Sequence, residues 1–234
     1  MYLSQRKGGG VICRQGESAH LVKDADTIYA LAIKAIANGI PLAQLVKRQG
    51  RGDEVDLASL YADGQIDCPI RHPDPAHMYL TGTGLTHLGS ASARDIMHSS
   101  VEGMSDSMKM FRMGIKGGKP QQGVRGVQPE WFYKGSGDIA IAPGDPLLSP
   151  DFALDGSEEP EIAGIYINGP EGRPYRIGFA VANEFSDHIT ERMNYLFLAH
   201  SKLRPASFGP EILLGELPRH IRGTPRIQAR NIIC

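Results

Sequence analysis

The run Glu159-Pro160-Glu161-Ile162-Ala163-Gly164-Ile165-Tyr166-Ile167 constrains this chain more than any other stretch. Its apolar, β-branched residues predict a strand. Asn168-Gly169 follows as a hairpin turn, and Gly178-Phe179-Ala180-Val181-Ala182-Asn183 reads as a buried partner strand. Residues i and i+2 of a strand share a face about 7 Å apart, so Glu159 and Glu161 are set side by side. Two such carboxylates repel unless a cation or a proton lies between them. Glu-x-Glu also occurs on solvated edge strands, so the pair gains meaning only from its company.

The front of the chain predicts a small cap. Val11-Ile12 and Leu21-Val22 suit a strand or hairpin leading inward. Asp24-Ala25-Asp26-Thr27 is a helix start; Ile28, Leu31, Ala32, Ala35 and Ile36 fall on one helical face, and Gly39 ends it. Pro41 opens a second helix through Leu42, Leu45 and Val46. Gly50-Arg51-Gly52-Asp53 reads as a turn, and residues 56–61 as a short apolar segment. Composition shifts at Cys68-Pro69, which divides the chain into a cap over residues 1–67 and a larger domain over 68–234. Three prolines within residues 69–75 make that segment extended. It runs into Thr81-Gly82-Thr83-Gly84, where a backbone with free N–H groups could approach a ligand. Residues 99–126 carry four methionines (Met97 adds a fifth) and a glycine-rich tract, and read as a disordered insertion or a mobile lid. Trp131, in Trp131-Phe132-Tyr133-Lys134, reads as core, and residues 222–234 as a hairpin-like alternation.

Composition excludes several function classes. A net charge of -1 with no dense basic block argues against nucleic acid. No stretch approaches the ~18 apolar residues of a membrane span, and the polar, glycine-rich first ten residues do not form a secretory leader. Cys13, Cys68 and Cys234 make neither a metal spacing nor a disulfide framework, which points to a cytoplasmic protein. With 28 glycines and 16 prolines, many short strands and turns are expected rather than a helical fold.

Chemistry enters when Glu159 and Glu161 are read with Glu184, at the end of the partner strand, and with Lys202 beyond it. Three carboxylates from two strand ends beside a lysine describe a Mg²⁺ or Mn²⁺ site, with Ca²⁺ also accommodated by oxygen ligands. Asp187 is the alternative to Glu184. A 2-oxo acid would chelate such an ion through carboxylate and keto oxygens, which acidifies its C3 proton. A buried lysine near a cation is expected to have a depressed pKa and to serve as acid or base.

Five pieces in order carry a resemblance to a known family: residues 79–87, Pro129-Glu130-Trp131-Phe132-Tyr133-Lys134, Glu159-x-Glu161, Asn183-Glu184-Phe185-Ser186, and Lys202 ahead of Phe208-Gly209-Pro210. Over residues 60–234 the chain resembles the fumarylacetoacetate hydrolase family, most of all its bacterial 2-keto-3-deoxy sugar-acid (arabinonate-type) dehydratases. The resemblance implies an α+β fold: a mixed, mostly antiparallel β-roll preceded by the small α/β cap. It implies Glu159, Glu161 and Glu184 as metal ligands, Lys202 and His87 as catalytic residues, and Lys134, Gly82, Thr83, Gly84 and Ser186 as substrate contacts. Where hydrolytic members carry a glutamate three residues after the histidine, this chain has Ser90, which favours dehydration over C–C bond hydrolysis. His188 replaces the arginine of the family's Ser-Ala-Arg-Asp motif. The expected activity is metal-dependent dehydration of a 2-keto-3-deoxy sugar acid by a homodimer. Hydrolysis of an acylpyruvate, decarboxylation of oxaloacetate, and a shortened non-catalytic homologue are the alternatives. Family members continue through further strands beyond the Gly-Pro turn, so a short roll is expected here.

Overall fold

Strand β1 (Tyr2–Gln5) joins the two ends of the fold. It pairs antiparallel with β2 (Val11–Gln15) on one side and with β11 (Ile212–Leu213) on the other. The computed structural model describes residues 1–84, 106–118, 120–127, 130–218 and 220–226. Among these, nine strands form one sheet, and every pairing in it but one is antiparallel. From β1 the sheet runs outward through β2 and β3 (Ser18–Val22) to β4 (Arg51–Glu54). In the other direction it passes through β11 to β9 (Pro174–Asn183), where β8 (Pro160–Asn168) closes one edge. The opposite edge of β9 is shared with β10 (Ala206–Phe208), which pairs in parallel with β7 (Ala140–Ile141). Gly178 permits the crossing of β9 and β11, since a Cβ there would meet the Leu213 carbonyl oxygen at 2.4 Å.

Helices α1 (Ile28–Ala37) and α2 (Leu42–Gln49) cover one face. Thr27 caps α1 by accepting from the Ala30 amide at 3.0 Å, and α2 opens on Pro41. Their buried stripes, Ile28, Leu31, Ala32 and Ala35 with Leu42, Leu45 and Val46, join one core with Leu3 and Val11 of the front and Ile165, Ile167, Ile177, Phe208 and Ile212 of the rear. Both sheet and core therefore run across the 67/68 division. Helix α3 (Leu57–Ala62), capped by Asp56, covers the reverse face around Ile12, Ala19 and Ile66.

A separate ribbon is built from β5 (Tyr79–Gly82) and β6 (Phe132–Ser136). The mixed α+β architecture with a mostly antiparallel sheet agrees with the sequence reading, and several local features correct it. Arg51–Glu54 is a strand, not a turn, because its backbone pairs with β3. Asp106–Gly117 is helix α4, with Phe111 buried against Met108 and Met110, so this part of the expected loose insertion is ordered by a small methionine-aromatic cluster. Trp131 is 55% exposed rather than core, at the root of a ribbon where Tyr79 and Tyr133 are also exposed. Residues 222–226 carry no strand. His87 and the rest of the 85–105 stretch lie outside the described residues.

Candidate metal centre

The carboxylates converge because of the β8–β9 register. Pro160 pairs with Asn183, and Ser157 with Ser186, so the same register sets Glu159 opposite Glu184. Opposed residues share a face, as do i and i+2, which places Glu159, Glu161 and Glu184 at one corner of the sheet. Main-chain contacts fix that corner: the Glu184 amide donates to the Glu159 carbonyl at 3.0 Å, and the Glu159 amide to Oδ1 of Asn183 at 3.0 Å. One oxygen from each carboxylate lies within 4.8 Å of the others.

Two buried lysines, each 2% exposed, face this corner. Lys202 ends α6 (Leu198–Lys202) and donates to Oε1 of Glu159. Its Nζ also lies 3.9 Å from Glu184 Oε1, 3.9 Å from Glu191 Oε2 and 5.7 Å from the Phe132 ring centre. Lys134, on β6, donates to the carbonyls of Phe185 (2.7 Å) and Lys202 (2.8 Å) and lies 3.8 Å from Glu184 Oε1. Helix α5 (His188–Met193) adds His188, whose Nε2 is 2.9 Å from Oε1 of Glu159, and buried Glu191 one turn on.

These neighbours divide the carboxylates electrostatically. Burial alone would raise Glu159, but the hydrogen bond from His188 and the Lys202 ammonium outweigh it and hold the group at about 2. Glu184 is raised, chiefly by burial, with Glu159 and Glu161 adding to the effect against Lys202 and Lys134. Glu161, exposed at the rim of the corner, is raised by partial desolvation of its carboxylate and then by Glu159. Burial pulls Lys202 down, yet Glu159 and Glu184 carry it above its ordinary value. The depressed pKa expected of Lys202 is that of a lysine beside a cation; the carboxylates by themselves act the other way on it. Lys134 is depressed, because burial, helped by Lys202, outweighs Glu184.

The arrangement fits a hard divalent cation. Glu184, 7% exposed, has an Oε1 that receives no hydrogen bond, which is costly unless a cation or proton serves it. Glu159, His188 and Glu191 form a second cluster of ligand-type atoms. There, however, His188 Nε2 is already engaged with Glu159 and the Lys202 ammonium lies 3.9 Å from Glu191, so the all-oxygen set is the better cation site.

Asp187, the alternative ligand, is otherwise committed. It caps α5, accepting from the Thr190 amide and hydroxyl (2.8 Å each), the Leu154 amide (2.8 Å) and Arg204 (3.2 Å). The Ser186 hydroxyl is buried, donates to the Glu184 carbonyl at 2.8 Å and lies against Glu159. Gly82 pairs with Phe132 in the ribbon; a Cβ there would meet the tip of the Phe132 ring at 2.1 Å, so glycine leaves room for that ring, whose centre lies 5.7 Å from Lys202 Nζ. Gly84 backs onto the buried Glu130 carboxylate, and Thr83 is exposed. Sequence reasoning gave no role to His188 and Glu191. Asp187 as helix cap was the available signal, since it puts both on one face of the first turn.

No family model and no curated protein matches this sequence. Solved structures do. The apo form of 2-keto-3-deoxy-D-arabinonate dehydratase aligns over 92% of this chain and 66% of its own, with TM-score 0.59 and 20% identity. The same dehydratase complexed with magnesium and 2,5-dioxopentanoate gives TM-score 0.57 at the same identity and coverages. A hexagonal crystal form of 2-keto-3-deoxyarabinonate dehydratase gives 0.60 at 20% identity, over 92% and 67% of the two chains. The chain shares the fold of these dehydratase structures. At this identity the likeness is one of fold, and the chain spans about two thirds of the length of the structures it matches. Among the described residues no single helix is long and apolar enough to cross a membrane.

Proposed function

We propose that this chain is a divalent-metal-dependent dehydratase of a 2-keto-3-deoxy sugar acid such as 2-keto-3-deoxy-arabinonate, acting in the cytoplasm in sugar-acid catabolism. The observation that carries the reading is the convergence of Glu159, Glu161 and Glu184, with an undonated Glu184 oxygen, beside buried Lys202. A Mg²⁺ ion bound there, or Mn²⁺ or Ca²⁺ in its place, would supply Lewis-acid polarisation of a 2-oxo group and lower the barrier to losing the C3 proton.

The chain's own residues supply the rest. Lys202 Nζ is the proton carrier: it reaches the carboxylates from a buried position, and neutralising their charge withdraws what keeps it protonated. Loss of the C3 proton and the C4 hydroxyl releases water and leaves a C3–C4 double bond. Moving a proton from C5 to C3 gives the C4–C5 enol, which becomes the aldehyde of 2,5-dioxopentanoate. Phe132 and the β5–β6 ribbon cover the Lys202 side of the centre and help exclude water from it. His87 remains the proposed partner in proton transfer, and Lys134, Gly82, Thr83, Gly84 and Ser186 the proposed contacts to the substrate.

A homodimer belongs to the same proposal. On the outer face of the β8–β9 hairpin, Ile162 is paired with Val181, and both are exposed beside exposed Tyr166. Sedimentation at micromolar concentration should show a dimer. The activity test is the purified chain with Mg²⁺ and 2-keto-3-deoxy-arabinonate. Steady release of 2,5-dioxopentanoate supports the reading; inertness there with cleavage of an acylpyruvate would replace it by a C–C hydrolase.

A further inference from the structure

We propose that His188 is a positioning residue of the metal centre, holding the Glu159 carboxylate in its ligand orientation by donating to Oε1. The inference rests on the metal-centre reading above. Three carboxylates meet at the corner, but they are not held alike. Among the described residues no side-chain hydrogen bond reaches the Glu161 carboxylate, and Oε1 of Glu184 receives none. Glu159 receives Lys202 and His188 on one oxygen, with the Ser186 hydroxyl against the same carboxylate.

The donors differ in what else they must do. Lys202 has to exchange a proton during turnover, so its contact to Glu159 cannot be permanent. Ser186 already donates to the Glu184 carbonyl. His188 has no such second duty at Nε2, and because an ionised carboxylate only accepts, the ring must present Nε2–H to it. The ring is also well anchored. His188 opens α5 directly after Asp187, whose carboxylate caps the helix and ties it to Leu154 and Arg204. A rigid framework thus ends in one N–H aimed at one ligand, which is how an outer partner orients a metal-binding group. In the sequence this residue stands where an arginine was expected from the resemblance, and the structure gives it a different task from that of a fixed charge.

The test uses Mn²⁺ alone as probe, titrated into the full chain and followed by electron paramagnetic resonance. His188→Leu should weaken Mn²⁺ binding by roughly 10- to 100-fold. His188→Gln, whose side-chain amide can place an N–H near the same point, should recover most of that loss. Circular dichroism confirms that each variant is folded, and the Gln variant keeps the test informative if Leu perturbs α5. Equal Mn²⁺ affinity in folded His188→Leu and wild type overturns the proposal, as does a Gln variant no better than Leu. Glu161→Gln is titrated in parallel. If it leaves the wild-type affinity unchanged, the measured site is not this one and the metal-centre reading fails too. If it weakens binding while His188→Leu does not, only the role of His188 falls.

Discussion

Lys134 Nζ donates at 2.8 Å to the main-chain carbonyl of Lys202, so one buried lysine holds the backbone of the other. A second bond at 2.7 Å reaches the Phe185 carbonyl, next to Glu184. Lys134 therefore ties β6 to the backbone of both the proposed proton carrier, Lys202, and the residue next to the proposed metal ligand Glu184. Lys134→Met should leave these carbonyls without their donor, at about 1–3 kcal/mol for each one that stays buried. Urea unfolding should show the loss, and an unchanged midpoint would count against the clamp.

The Asp187–Arg204 pair is fully buried on both sides. Removing Asp187 leaves the guanidinium uncompensated, so Asp187→Ala should cost about 3–5 kcal/mol. The pH dependence has a definite sign. Burial alone would raise Asp187, but the Thr190 and Leu154 amides, the Thr190 hydroxyl and Arg204 hold it at about 2. Its unfolded value is about 4. The stabilisation is thus fully present above about pH 4 and is lost as the pH falls through 2. The gap between wild type and Asp187→Ala should narrow over that window; a constant gap would contradict the assignment.

Much of this was legible in the sequence. β-Branched residues before Asn168-Gly169 set the hairpin, and the period of two in a strand placed Glu159 and Glu161 together. The position of Glu184 follows from being the next residue after a strand paired in register with theirs. His188 was not legible, because its value comes from a short helix whose cap is also half of a buried ion pair. The raised Lys202 was not legible either: its protonation depends on how many carboxylates surround it, which only the packed corner decides. Trp131 misled because aromatic clustering suggests a core, whereas the ribbon that carries it leaves rings exposed on its surface.

Metal affinity should depend on pH through Glu184. Its carboxyl is pushed up to about 7, chiefly by burial. Below that pH an incoming cation must displace a proton. Mn²⁺ affinity should therefore rise with pH up to about 7 and level off above it. Affinity that is flat from pH 5 to 8 would show that Glu184 is not a ligand.

Lys202→Met should separate chemistry from metal binding. Loss of the proton carrier should lower turnover by at least ~100-fold. Mn²⁺ should bind as well as in wild type or better, because a competing ammonium has left Glu159. Calorimetric titration beside the activity assay checks both halves. Weaker binding would make Lys202 part of the support for the metal site instead.

The most direct measurement is a crystal soaked with Mn²⁺ and pyruvate, a minimal 2-oxo acid, with diffraction recorded at the manganese edge. The account predicts one strong anomalous peak between Glu159, Glu161 and Glu184, with carboxylate oxygens at roughly 2.0–2.6 Å and pyruvate oxygens completing the shell. A saturating soak that leaves this corner without a peak, or places the ion between Glu159, His188 and Glu191, would contradict it.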